Sequence, residues 1–279
     1  MPYLKTTAQP ATDIYFEDGG GGGQPVVLIH GWPLSSRMWE GQVNALTAAG
    51  YRVVAYDRRG FGQSGNATGG YDYDTFASDL NDLIEQQNLR DVVLVGFSMG
   101  GGEVARYIGR YGEGRVAKAV LAGAVTPFLL KTDDNTDGVP EAQFDAMLAG
   151  VVKDRVNFLA DFFPTFFKGG LLGPKASDDV ILHAKTIAWP ASPLGTQRCI
   201  VAFGKTDFRA DLRRFTVPTL VVHGDSDAVV PFDKSGKRVP EFAKHATVET
   251  IGGAPHGFTA THSEKFNEIL LGFLKGSRG

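Results

Sequence analysis

Val92-Val93-Leu94-Val95-Gly96-Phe97-Ser98-Met99-Gly100-Gly101-Gly102 is the stretch that decides the fold. Four consecutive apolar residues rich in β-formers predict a strand buried on both faces. From Gly100 the pattern turns helical and runs to Tyr111, with Gly112 as its stop. Between strand and helix, Gly96-x-Ser98-x-Gly100 compresses the chain reversal into a turn that only small flanking residues permit. A serine on such a turn stands clear of the backbone at the strand's C-terminal end. An idle serine in a glycine-rich turn would show the same letters, so the weight falls on the strand before it and the helix after it.

Working outward, short β-branched runs alternate with helical patterns. Thr12–Glu17, Pro25–His30, Arg52–Tyr56, Arg115–Ala122, Val217–His223 and Thr247–Ile251 read as further strands. Met38–Ala49, Asp74–Gln87, Pro231–Ala243 and Thr261–Leu274 read as helices, with Pro231 suited to a first turn. The Gly19–Gly23 run between two strands reads as a flexible hairpin loop. From Thr126 to Phe215 no strong strand appears, and the segment is helical and phenylalanine-rich. The expectation is an α/β fold with a mostly parallel sheet, helices on both faces and an inserted helical cap. Residues 1–125 and 216–279 would form the core and 126–215 the cap.

Composition narrows the functions. The chain has 279 residues and a formal net charge of -3, so it carries no basic footprint for nucleic acid and no polybasic membrane patch. The single cysteine, Cys199, excludes an intrachain disulfide and a cysteine-rich zinc site. No run is apolar enough for a membrane span or a signal-peptide core, and a soluble cytoplasmic protein is expected. The 36 glycines are well above the usual share of about 7%, and they lack a collagen period, which assigns them to turns and close backbone approaches.

A serine hydroxyl is a weak nucleophile at neutral pH and needs a histidine base oriented by a carboxylate. After a turn of this kind the expected chain order is serine, acid, histidine. Asp225 and Asp227 both follow the strand that ends near His223. Asp227 lies further out on the loop and is the preferred acid, with Asp225 capping the turn. His223 precedes both acids, His183 lies in the insertion, and His245 and His262 read as ordinary polar positions, which leaves His256 as the base. A base must be neutral to take a proton, so activity through such a serine is expected to fall on the acid side. The oxyanion hole needs two backbone N–H groups. Met99 offers one at the helix start, and Trp32 in His30-Gly31-Trp32-Pro33 offers the other, since Pro33 has none.

Other patterns carry less chemistry. Gly60-Phe61-Gly62-Gln63-Ser64-Gly65 matches a dinucleotide fingerprint in letters, but Asn66-Ala67-Thr68-Gly69-Gly70 cannot open the helix that would hold a pyrophosphate. Asp57-Arg58-Arg59 reads as a loop clamp. Phosphate-loop and His-Glu-x-x-His signatures are missing, and neither a metal nor another cofactor is expected. Pro33, Val125, Phe128, Phe158, Phe162, Val229 and Val230 are the expected lining of an apolar acyl pocket.

Taken together, His30-Gly31-Trp32-Pro33, Asp57-Arg58-Arg59-Gly60-Phe61-Gly62, the Gly96–Gly102 turn, Val229-Val230-Pro231 and Ala254-Pro255-His256-Gly257-Phe258 resemble the cofactor-free bacterial haloperoxidase, perhydrolase and aryl esterase family of α/β-hydrolases. The resemblance spans roughly residues 12 to 275. It implies an eight-stranded sheet with a helical cap, the triad Ser98, Asp227 and His256, and an oxyanion hole from Trp32 and Met99. It implies hydrolysis of small or aryl esters, formation of peracids from a carboxylic acid and hydrogen peroxide, and a homo-oligomer of three or more chains. A γ-lactamase or amidase in the same pocket, or a non-catalytic ligand receptor on this scaffold, is the alternative. Dehalogenase and epoxide hydrolase chemistry would need a carboxylate in place of Ser98.

Overall fold

The valine-rich run becomes β5 (Val92–Phe97), buried along its whole length, and it feeds directly into α3 (Met99–Tyr111). The computed structural model describes residues 2–170 and 176–276. Around β5 the sheet has eight strands in the order β1-β2-β4-β3-β5-β6-β7-β8. These are β1 (Tyr3–Lys5), β2 (Asp13–Asp18), β3 (Pro25–Ile29), β4 (Arg52–Tyr56), β6 (Val116–Ala122), β7 (Thr219–Gly224) and β8 (Ala246–Ile251). From β4 to β8 every neighbouring pair is parallel, and only β2 runs against the rest, antiparallel to both β1 and β4.

Strand order reverses at β3. The chain moves to β4 on one side through α1 (Glu40–Ala48), then returns past β3 to β5 through α2 (Tyr73–Gln86). Right-handed crossovers therefore place α1 on one face and α2 with α3 on the other. α9 (Ser263–Lys275) packs beside α1, and α8 (Phe258–Thr261) leads into it. Asp72 caps α2 by accepting from the Thr75 N–H at 2.9 Å. The buried Lys118 ammonium of β6 donates to the carbonyls of Phe273, Leu274 and Gly276 at 2.7–2.9 Å. A cation there answers the negative end of α9.

Between β6 and β7 lie α4 (Glu141–Phe166), α5 (Asp178–Ala188), α6 (Pro193–Lys205) and α7 (Arg209–Leu212). α4 is interrupted at Asp154, where the backbone is extended. Residues 171–175 of this stretch lie outside the described residues. Among the described residues no helix is long and apolar enough to cross a membrane.

Two local expectations are corrected. The Gly19–Gly23 run does not close a hairpin, because β4 lies between β2 and β3. The all-apolar Val53-Val54-Ala55 of β4 claims the inner position, and the half-polar β2 is left nearer the edge. The glycines carry the chain over the end of β4, where Gly19 N–H donates to Val53 O at 2.9 Å. Pro231–Ala243 is not one α-helix but two 3₁₀ turns, Phe232–Lys234 and Gly236–Glu241. Ser235 leaves the helical region between them, and Pro240 offers no N–H. The sequence pattern also misses β1, which is only three residues long.

Candidate active site

The C-terminal ends of parallel strands all open on one side of the sheet, and four of them supply the site. Ser98 follows β5 with φ 54° and ψ -117°, a backbone state that a non-glycine residue occupies at a cost. Its neighbours make that state possible. A Cβ on Gly96 would overlap the Gly100 carbonyl, and one on Gly100 would overlap the Ile29 carbonyl of β3. The elbow is thus wedged between the first turn of α3 and the end of β3.

Asp227 follows β7 and His256 follows β8. His256 Nδ1 lies 2.6 Å from Asp227 Oδ2, and Nε2 lies 2.9 Å from Ser98 Oγ. A carboxylate can only accept, so Nδ1 carries the proton and Nε2 presents its lone pair to the serine hydroxyl. All three residues are buried, with exposures of 6%, 6% and 1% for Ser98, Asp227 and His256. Phe97 and Phe166 flank the imidazole, each with ring centroids 4.9 Å away. Burial by itself raises the Asp227 carboxyl. The charge of His256 and the N–H groups of His223 and His256 outweigh it and hold the carboxyl well below the usual range.

Asp225 is turned elsewhere, accepting from the Gly253 N–H at 2.7 Å and the Ser226 hydroxyl at 3.0 Å. Asp227 Oδ1 accepts from the Val229 and Val230 N–H groups at 2.9 and 2.8 Å. A group that sequence reasoning set aside also reaches the acid: His223 Nε2 lies 3.2 Å from Asp227 Oδ2. Its spacing of four from Asp227 is visible in the sequence, but only the β7 turn brings the two side chains together.

The loop after β3 comes down onto Ser98. A Cβ on Gly31 would sit 3.0 Å from Ser98 Cβ. Neither the Trp32 nor the Met99 N–H finds an acceptor among the described residues, so both remain available to an oxyanion. The Trp32 ring is fixed by its own N–H, which donates to Thr196 O at 3.0 Å.

Asp57-Arg58-Arg59 holds loops in place. Asp57 accepts from the Ser36 and Gln63 N–H groups, each at 2.7 Å, and Arg59 grips Asp79 through two bonds of 2.6 and 2.7 Å. Arg58 joins the two halves of the proposed oxyanion hole. Its guanidinium donates to His30 O and pairs with Glu103 of α3, while its N–H donates to His30 Nε2. The Tyr56 hydroxyl also donates to Glu103. Burial pushes Glu103 well up. Burial, then the Arg58 charge, pushes His30 well down.

Ser98 and His256 open onto a cavity of about 320 Å³. Val125, Phe162, Val229 and Val230 line it, together with Trp32, Leu129, Val139, Phe144, Met147, Phe203, Ala228 and Pro231; Gln143 and Lys234 are its polar members. Three expected residues are not in the lining. Phe128 turns its ring to the Arg209 guanidinium at 5.1 Å. Phe158 stacks on Phe162 and faces a surface groove instead. Pro33 is buried in the turn closed by Leu34 N–H and Gly31 O. A larger cavity of about 510 Å³ between α1 and α5 does not include Ser98 or His256. It touches Phe166 and Phe167, whereas the smaller one holds Ser98 and His256.

A family profile described as alpha/beta hydrolase fold matches residues 24–262. A non-heme chloroperoxidase of Kitasatospora aureofaciens is 46% identical, covering 96% of this chain and 98% of its own. A bifunctional esterase/perhydrolase of Acinetobacter calcoaceticus is 40% identical over 96% of this chain and 98% of its own. The crystal structure of a bromoperoxidase from Bacillus anthracis superposes with a TM-score of 0.92 at 52% identity, covering 98% of this chain and all of that one.

Proposed function

The chain belongs to the α/β-hydrolase family, in its non-heme haloperoxidase and esterase branch, and from that premise we propose a serine carboxylic-ester hydrolase that also forms peracids. The observation that carries this reading is the continuous relay Asp227–His256–Ser98, with bonds of 2.6 and 2.9 Å, opening onto an apolar cavity.

Ser98 Oγ attacks the ester carbonyl while His256 Nε2 takes its proton. Asp227 holds the imidazole in the tautomer that allows this and stabilises the imidazolium. Charge developing on the carbonyl oxygen is met by the Trp32 and Met99 N–H groups. The proton on His256 then passes to the leaving alcohol, and an acyl-enzyme remains. Water attacks it to give the acid. Hydrogen peroxide attacks in the same way to give the peracid, its proton going to His256 and then back to Ser98 Oγ. Partners are a small ester, or a carboxylic acid with peroxide. A homo-oligomer of three or more chains is the expected assembly, to be read by light scattering.

Acyl transfer to peroxide places an acceptor requirement on the loop. Pro33 fixes its own φ and restricts Trp32, which sets where the Trp32 carbonyl points. A carbonyl aimed at the acyl-enzyme would accept from the second oxygen of hydrogen peroxide. Pro33→Leu should then lower peracetic acid formation more than aryl acetate hydrolysis, and an equal fall in both rates removes Pro33 from that step.

The direct test of the proposed function is a panel of aryl esters of increasing acyl length, run beside a γ-lactam, with a phosphonate inhibitor to trap the nucleophile. Ester turnover with the inhibitor on Ser98 is expected. Binding without turnover would move the protein to a receptor role, and faster lactam opening would move it to amide chemistry.

A further inference from the structure

We infer that His223 is a positioning residue for the acid, its Nε2–H sharing Asp227 with His256 and so tempering how strongly Asp227 supports the His256 imidazolium. This rests on the reading of Ser98, Asp227 and His256 as the triad.

His223 sits near the end of β7 and is 0% exposed. Its Nε2 lies 2.9 Å from Val230 O and 3.2 Å from Asp227 Oδ2. Both are acceptors, and a bare ring nitrogen facing two oxygens would be repelled by each. Nε2 therefore carries the proton, donating to Val230 O with the positive end of the N–H beside Asp227 Oδ2. The opposite nitrogen, Nδ1, has no partner among the described residues. It faces Gly236, where a Cβ would stand 2.5 Å away. A buried nitrogen without a partner is unfavourable, and an apolar ring or a leucine would fill the space without one. The Nε2–H end is what distinguishes histidine at this position.

The two oxygens of Asp227 have different duties. Oδ1 is held by the Val229 and Val230 N–H groups, which fix the plane of the carboxylate. Oδ2 alone faces imidazoles, His256 at 2.6 Å and His223 at 3.2 Å. Each donor to Oδ2 takes a share of its negative charge. Without His223 more of that charge acts on His256 and favours the imidazolium over the neutral base. The other titratable groups on nearby elements are turned away or act at the cavity wall. Asp225 is bonded to the Gly253 N–H, His262 is bonded to the Thr261 hydroxyl, and the Lys234 ammonium reaches Gly138 O. Phe97 and Phe166 cover the remaining sides of His256 with rings.

The experiment is the pH dependence of kcat/KM for an aryl acetate in wild-type, His223→Leu, His223→Asn and His223→Gln proteins. Leucine removes the donor, asparagine is too short to reach Asp227, and the glutamine amide reaches about as far as Nε2. The acidic limb should move to higher pH by about half a unit to one unit in the Leu and Asn variants. The Gln variant should return most of the way. Should the Leu variant not fold, the Asn and Gln pair carries the same comparison. A limb that stays at the wild-type position while the rate falls would overturn the proposal, because a packing role lowers activity without moving it. A wild-type protein that hydrolyses no ester would remove the triad reading and this inference with it.

Discussion

The strand-end side of the sheet and the helical stretch between β6 and β7 reach the same cavity by different routes. On the sheet, Ser98, Asp227 and His256 each follow a strand by a few residues, so backbone register places them. In the helical stretch, Phe144, Met147, Phe162 and Phe203 arrive from two helices that pack on one another, so side-chain packing places them. Rigid backbone suits groups that must meet within tenths of an ångström, and packed rings suit groups that need only shape a space. A substitution on the sheet side should therefore reduce turnover, whereas one on the helical side should redirect it.

The largest effect tests the first half of that contrast. Ser98→Ala should lower ester turnover by roughly 10⁴ to 10⁶, since covalent catalysis is lost. A phosphonate or sulfonyl fluoride should label Ser98 alone, as mass spectrometry of the digested adduct would show. Full inactivation by a label elsewhere would break the comparison at its root.

Next in size is the pair of neighbouring acids. Asp227→Asn should cost about 10⁴ in kcat, because the histidine loses the charge that orients it. Asp225→Asn should cost far less, since Asp225 braces the turn through Gly253 and does not touch His256. The reverse ranking would hand the role to Asp225.

The helical side gives smaller and differently shaped changes. Phe162→Ala opens the cavity wall beside Trp32, whose ring lies 5.4 Å away in a T-shaped contact. KM for short-acyl esters should rise about tenfold, with longer acyl chains gaining in relative kcat/KM. Phe158→Ala, one ring further out, should leave the ranking of esters unchanged. Equal effects from the two would mean that the wall is not where the cavity places it.

The smallest effect concerns stability. The native Asp227 carboxyl is held below its ordinary value, so its contacts stabilise fully above the unfolded carboxylate range and fade as pH falls through the native value. Urea unfolding at about pH 7 and about pH 3 should show less acid destabilisation in Asp227→Asn than in wild type. An identical acid-side slope in both proteins would separate Asp227 from the acid response.

These differences also explain what the sequence could disclose. The Gly-x-Ser-x-Gly turn and the loops around Asp227 and His256 are local, and each carries its own small-residue signature at a strand end. The lining contributed by Leu129, Val139, Gln143 and Lys234 has no such signature, because those residues belong to segments as far apart as positions 129 and 234. Phe128 and Phe158 are as apolar as Phe162, but the Arg209 guanidinium takes the Phe128 ring and the packing of α4 turns Phe158 outward. The Gly19–Gly23 run failed as a hairpin for a related reason, since local pattern does not reveal that β4 inserts between its flanking strands. Chain order sets His223 aside as the base, and it does not reveal a second imidazole beside Asp227.

The Lys118 bond to the end of α9 bears on how the protein is made. Lys118 belongs to an inner strand of the sheet, yet the carbonyls its ammonium binds belong to Phe273, Leu274 and Gly276. During synthesis that strand emerges long before those acceptors do. β7, β8 and His256 are also late, so a ribosome that has delivered Ser98 and its helix still holds the material that completes the sheet. Nascent chains arrested short of residue 273 should stay open to protease, and closure should come once residues 273–276 have left the ribosome.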